Sequence, residues 1–132
     1  MKRTALILLS TVALGCHFGQ RVGRLTVAKQ PGGIQATIAE RNGTFMDAEL
    51  LAVDDTGLVL LWSKRVGYLP FARALELKSN AISLSFAEPG SPSNDERVRL
   101  RLMSRFPQGL TPDLEARLLA AYHQQALVAL AP

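Results

Sequence analysis

Cysteine, histidine and tryptophan are scarce in this chain. Its 132 residues include one cysteine, two histidines and one tryptophan. A single cysteine excludes a disulfide framework within the chain. His17 and His123 have no second histidine or cysteine at ligand spacing, so we expect no metal site. The sequence also lacks a P-loop, a dinucleotide-binding fingerprint and a Gly-x-Ser-x-Gly elbow. We therefore expect no cofactor, and we identify no catalytic residue.

The main apolar run is too short to cross a membrane. Thr4 to Leu14 is an uncharged stretch of 11 residues that follows Lys2 and Arg3, whereas a membrane-spanning helix needs about 20 apolar residues. A basic start followed by an apolar run of this length is typical of a signal peptide.

The run ends in Ala13-Leu14-Gly15-Cys16, which resembles the lipobox of bacterial lipoprotein signal peptides. The resemblance implies that residues 1–15 are removed and that Cys16 is the lipid attachment residue. Its sulfur would carry a diacylglycerol, and its new amino group would carry a further acyl chain such as palmitate. Two alternatives remain open: cleavage at an ordinary small-x-small site, which leaves a secreted protein with a free thiol, and an uncleaved anchor. His17 follows the cysteine in place of the aspartate of an inner-membrane retention signal, which favours the outer membrane.

Removal of residues 1–15 changes both the size and the charge of the protein. It leaves 117 of the 132 residues, enough for one domain, and takes away two positive charges, so the formal +4 becomes +2. Such a small charge argues against nucleic-acid binding. We expect a lipidated tether over residues 16–24 and a single domain over residues 25–132.

After the tether, the pattern is that of short strands separated by turns. Asn42-Gly43 lies between two β-rich runs and is a strong hairpin signal. We expect Leu50, Val53, Leu60 and Phe71 to be buried, and Trp62 and Tyr68 to anchor the core. The predicted strands cover residues 34–41, 44–53, 58–63, 66–71 and 74–86.

The stretch MDAELLAVDDTGLVLLW, residues 46–62, resembles the SH3-like and Sm-like small barrels, in which a long second strand bends. Over residues 34–80 the resemblance implies a small antiparallel barrel. The RNA-binding residues of the Sm family do not carry over, because Gly57-Leu58 stands where those proteins have Met-Asn. The predicted fold is therefore mainly β: a small antiparallel barrel of this kind with an additional hairpin and a C-terminal α-helix.

The additional hairpin would have its tip at residues 87–96 and its second strand in RVRLRLMSR. In this stretch arginine and apolar residues alternate strictly from residue 97 to residue 102. This alternation predicts that Val98, Leu100 and Leu102 face inward and that Arg97, Arg99 and Arg101 form a row on the outer face. Such a row suits anionic lipid headgroups, a polysaccharide or an acidic partner. The alternative is a solvent-facing strand whose like charges discourage aggregation.

The last part of the sequence predicts a helix over residues 112–130. Thr111 is a suitable N-cap and Pro112 suits the first helical position. Its broad apolar face indicates packing on the barrel, with partner binding as the alternative. Of the acidic residues, Asp54 and Asp55 are expected to form a turn, and Asp47 and Glu49 to be solvated on one strand face.

These features predict a lipid-anchored protein of the cell envelope that acts by binding or scaffolding. Its expected partners are the membrane and an envelope protein, anionic lipid or polysaccharide. The alternative is an envelope hydrolase that uses a pair of carboxylates which the sequence does not identify.

Overall fold

The computed structural model describes residues 32–86 and 91–130, which form one sheet and two helices. The predicted signal peptide, the whole predicted tether over residues 16–24 with Cys16, and residues 25–31 of the predicted domain lie outside the described residues. In chain order the elements are β1 (Gln35–Glu40), β2 (Phe45–Val53), β3 (Gly57–Trp62), β4 (Arg65–Pro70), β5 (Ala74–Lys78), β6 (Ser83–Ser85), α1 (Asn94–Met103), α2 (Pro112–Ala121) and β7 (Val128–Ala129).

The seven strands form one sheet in the order β6-β5-β1-β2-β3-β4-β7. All neighbours are antiparallel except β4 and β7. The hairpin at Asn42-Gly43 is confirmed, and Gly43 has the positive φ of 87° that such a turn requires. The predicted strand over 74–86 is divided into β5 and β6 by a turn in which the Ser79 hydroxyl accepts the N–H groups of Ala81 and Ile82.

Two apolar clusters pack on opposite faces of the sheet, because successive side chains of a strand point to opposite sides. The first cluster also holds α1, through Leu100, and contains the four residues predicted to be buried. The second cluster lies between α2 and the strands β2, β3 and β4. Helix α2 contributes Leu118 and Leu119 to it. The helix therefore packs on the sheet, as expected.

The long strand β2 contributes to both clusters, and its register shift between Leu50 and Ala52 places two successive residues on the same face. Leu50 and Val53 belong to the first cluster, whereas Leu51 and Ala52 belong to the second. An extra residue of this kind bends a strand and increases its twist. Within the described residues the outermost strands β6 and β7 do not pair with each other, so the sheet is open and no closed barrel forms.

The predicted second strand of the additional hairpin is wrong, because residues 94–103 form α1. Ser93 caps this helix: its hydroxyl accepts the Glu96 N–H at 3.3 Å, and the Glu96 carboxylate accepts the Ser93 N–H at 2.7 Å. This capping box provides two of the missing partners of the first turn. Val98 and Leu102, predicted to face inward, are 53% and 72% exposed.

The C-terminal helix is shorter than the predicted 112–130. It ends at Ala121, and His123 adopts a left-handed φ of 57°, which stops helical propagation. The Gln124 side chain then bonds to the backbone of β4, accepting the Val66 N–H at 2.6 Å and donating to the Val66 carbonyl at 2.9 Å. The chain continues into β7, so the C-terminal segment covers the edge of β4.

Candidate functional site

A cleft of about 400 Å³ lies where the β2–β3 turn, the end of α1 and the beginning of α2 meet. This volume lies within the range of small-molecule sites in proteins. A more open depression of about 540 Å³ on the side of α2 shares Leu110 and Glu115 with it. The apolar walls of the 400 Å³ cleft include Ala52, Val53, Val59, Leu110 and Leu127. The polar lining of the same cleft consists of Asp54, Asp55, Tyr68, Arg101, Gln108 and Glu115.

The β2–β3 turn forms one wall of the cleft and is held by its own hydrogen bonds. The Asp54 carboxylate accepts the Asp55 N–H at 2.6 Å, and the Thr56 hydroxyl is hydrogen-bonded to the Tyr68 hydroxyl. Gly57 follows the turn. A Cβ atom at this position would lie only 2.5 Å from the Leu69 carbonyl oxygen, so a side chain does not fit there. The turn predicted at Asp54-Asp55 is confirmed.

The three candidate arginines do not form a row. Because α1 is helical, Arg97 and Arg101 share one face four residues apart, and Arg99 points elsewhere and is exposed. A Nη atom of Arg97 lies 3.8 Å from Asp55 Oδ1, and Arg101 Nη2 lies 3.3 Å from the same oxygen. The two paired arginines thus attach α1 to the β2–β3 turn.

Arg97 is further constrained by Phe71, whose ring centroid lies 5.7 Å from the guanidinium carbon. This geometry is a cation–π contact. The Nε of Arg97 is buried without a hydrogen-bond partner in the described part of the chain. Arg97 therefore stabilises the junction of α1 and the sheet, whereas Arg101 is the candidate arginine that also lines the cleft.

The cleft carries an excess of negative charge. Asp54, Asp55 and Glu115 line it against the single cation Arg101. Asp55 is neutralised by its arginine partners, and Asp54 is engaged with its own turn. Glu115 is half-buried, and its carboxylate forms no ion pair or hydrogen bond with the described residues. A cationic group entering the cleft would therefore meet Glu115.

Sequence reasoning missed a buried ion pair. Glu49, predicted to be solvated, has a side chain only 7% exposed, and the Arg105 side chain is 8% exposed. Arg105 donates from Nε to Glu49 Oε1 at 2.7 Å and from Nη2 to Oε2 at 2.5 Å. Glu49 also accepts the Gly33 N–H at 2.7 Å. Only the folded arrangement shows that Arg105 reaches this carboxylate, so no sequence signal identifies the pair.

The protonation of Arg105 follows from these contacts. Burial lowers the pKa of Arg105, but hydrogen bonding and attraction from Glu49, together with Tyr122, outweigh burial and raise the pKa above its usual value. The guanidinium is therefore charged throughout the neutral range. Its role is structural, since it joins β2, the segment after α1 and the entry of the chain at Gly33.

Of the two histidines considered as metal ligands, His123 is exposed after α2 and His17 lies outside the described residues. Residues 32–86 and 91–130 contain no group of three His, Cys, Asp or Glu side chains suited to a metal ion, and none of their helices is long and apolar enough to span a membrane.

Comparison of the chain with protein-family models, with curated proteins and with solved structures gives no match.

Proposed function

We propose that this protein is a lipid-anchored binding module of the bacterial cell envelope, attached to the membrane through Cys16. The cleft beside the β2–β3 turn is the observation that carries the binding role. Its size suits a small ligand or a short peptide segment. The anchor is inferred from the basic start, the apolar run and the lipobox-like sequence before Cys16.

The position of the first described residues supports a tethered domain. Gly32 is exposed, and the next residue is fixed by the hydrogen bond from Gly33 to Glu49. Residues 17–31 separate this point from Cys16, and 15 residues can span at most roughly 50 Å. The proposed anchor would therefore keep the domain close to the membrane.

We also propose that the sheet is a member of the SH3-like and Sm-like small-barrel group. The long second strand with its register shift at Leu50 and Ala52 supports this assignment. So does the first apolar cluster, which joins residues from β1 through β6. The open edge at β6 is the feature that departs from a closed barrel.

The anchor predicts a specific covalent state. Intact-mass analysis of protein extracted from membranes should show a chain that begins at Cys16 and carries two or three acyl chains. Cys16→Ser should abolish this processing, because the thioether can form only at the sulfur. Several chains are expected, since a single acyl chain gives only weak, reversible membrane binding.

His17→Ser is the matched control for this measurement and should be processed like the wild type. An unmodified, soluble chain with a free thiol at Cys16 would refute the anchor.

The charge of the cleft indicates the class of ligand. Glu115 has no partner within the described residues, and the surrounding walls are apolar, so the cleft suits a ligand with an apolar body and a cationic group. A charge-assisted hydrogen bond to such a group contributes about 1.5 to 3 kcal/mol. Glu115 is therefore the residue on which binding should depend most.

Photo-crosslinking in the anchored protein tests the cleft. A photoactivatable residue at Gln108 should give a defined conjugate, whereas the same residue at Ser83, exposed on β6, should not. Adding Glu115→Lys should reduce the yield at position 108 by roughly tenfold or more, from the loss of that bond. Asp113→Lys, in the same turn of α2 but outside the cleft, should leave the yield unchanged. Equal yields with Glu115→Lys and Asp113→Lys would contradict this assignment.

A further inference from the structure

The hairpin between β3 and β4 ends in Trp62, Ser63, Lys64 and Arg65, here called the Trp62–Arg65 tip. All four residues are exposed, and Trp62, predicted to anchor the core, is 37% exposed. Trp62 and Arg65 are paired across the strands, which leaves a loop of only two residues. The tip thus presents one aromatic and two basic side chains together.

The backbone of the tip is strained. Ser63 and Lys64 have φ values of 47° and 62°, in the left-handed region that favours glycine. The first hairpin of the same sheet has a glycine, Gly43, at its one position with a positive φ. A lysine at a position where glycine would be more stable indicates that its side chain has a use outside the fold.

The side chains of the tip have no electrostatic partner in the described residues. Lys64 and Arg65 take part in none of the ion pairs there. Tryptophan favours the interface between lipid and water, and lysine and arginine are attracted to anionic headgroups. We propose that the Trp62–Arg65 tip docks on the anionic surface of a lipid membrane.

This inference rests on the proposed lipid anchor, and the fold places the tip near the first described residues of the chain. Gly33 lies against Leu50 of β2, and Leu50 pairs with Leu60 of β3, two residues before Trp62. The segment that leads to Cys16 therefore enters the domain one strand away from the hairpin. Because the anchor holds the domain at high effective concentration near the lipid, a contact of a few side chains is sufficient for docking.

Trp62 reports on this contact directly, since it is the only tryptophan in the chain. The full acylated protein is reconstituted in vesicles of phosphatidylglycerol or of phosphatidylcholine, and acrylamide quenching and quenching by brominated lipid are measured. We expect Trp62 to be protected from acrylamide and quenched by brominated lipid in the anionic vesicles. High salt should reduce both effects, because it screens exposed charge.

Removal of the two cations tests their role. Each basic residue near an anionic surface is expected to change the docking equilibrium about fivefold, so Lys64→Gln with Arg65→Gln should reduce the ratio of docked to undocked protein roughly 30-fold. The matched control is Lys78→Gln with Arg99→Gln, which removes two exposed cations elsewhere. It should leave the Trp62 signals unchanged.

A second pair of variants separates docking from stability. Lys64→Gly relieves the left-handed strain and removes a cation, so it should raise the midpoint of denaturation and weaken docking about fivefold. Ser63→Asn relieves strain without removing charge and should raise the midpoint while docking is retained. A Lys64→Gly protein that docks like the wild type would overturn the role of this lysine.

The controls distinguish the tip from the anchor. If intact mass confirms acylation but Trp62 remains fully accessible to acrylamide in anionic vesicles, the proposed docking is wrong and the anchor stands. Equal, salt-insensitive protection in both lipids would overturn the anionic partner. If the chain proves unmodified, the anchor is wrong. The unmodified protein is then added to anionic vesicles, and protection of Trp62 from acrylamide shows whether the Trp62–Arg65 tip docks without an anchor.

Discussion

Arg105→Met is expected to lower the free energy of unfolding by about 3 to 5 kcal/mol, because it leaves the Glu49 carboxylate buried without its cation. Both side chains of the pair are less than a tenth exposed, and two short hydrogen bonds join them. Methionine retains much of the volume of arginine, so the loss measures the unpaired charge more than a cavity. Denaturant titration followed by circular dichroism gives the change.

Two further variants identify the cause. Lys78→Met breaks the exposed pair with Glu76, whose atoms lie 3.0 Å apart, and should cost less than about 1 kcal/mol. Glu49→Gln combined with Arg105→Met removes both charges and keeps an oxygen for the Gly33 N–H. This double variant should be about 2 kcal/mol more stable than Arg105→Met alone. If Arg105→Met costs no more than Lys78→Met, the pair is not important for stability.

Leu60→Ala should lower the free energy of unfolding by about 2 to 5 kcal/mol. Leu60 is completely buried in the first apolar cluster and lies between Leu50 and Gly67 on the neighbouring strands. The backbone of a central strand cannot move to fill the space, so a cavity adds to the lost apolar burial. The same denaturant titration measures the effect.

Leu102→Ala is the matched control, since it makes the same chemical change at a helical side chain that is 72% exposed. Alanine is a good helix former, so this substitution should change stability by less than about 0.5 kcal/mol. Similar losses at positions 60 and 102 would contradict the assignment of Leu60 to the core.

The strands were predictable where local signals agree. Around Asn42-Gly43, turn chemistry and β-rich runs indicate the same hairpin, and β1 to β4 lie within one or two residues of the predicted bounds. The prediction of a strand over residues 97–102 was wrong because arginine and apolar residues alternate there, a pattern that favours a strand. The capping sequence from Ser93 to Glu96 was the competing signal, and it identifies the helix.

The candidate site was less predictable because it depends on contacts between distant parts of the chain. Asp54 and Asp55 were recognisable as a turn, but their proximity to Arg101 and Glu115 follows from the packing of two helices against the sheet. Trp62 has a residue type that is usually buried, yet it lies at the end of a two-residue hairpin. Position in the fold, and not residue type, decides its exposure.

The covered edge of β4 limits how copies of this chain can associate. Growth of a sheet from copy to copy needs two available edges on every copy, and here Gln124 and β7 already occupy the hydrogen-bonding groups of Val66 to Tyr68. Within the described residues, the outer strands β6 and β7 have one neighbour each, and they are only three and two residues long. Edges this short offer few free backbone groups, so addition of a strand from a second copy is disfavoured at both ends of the sheet.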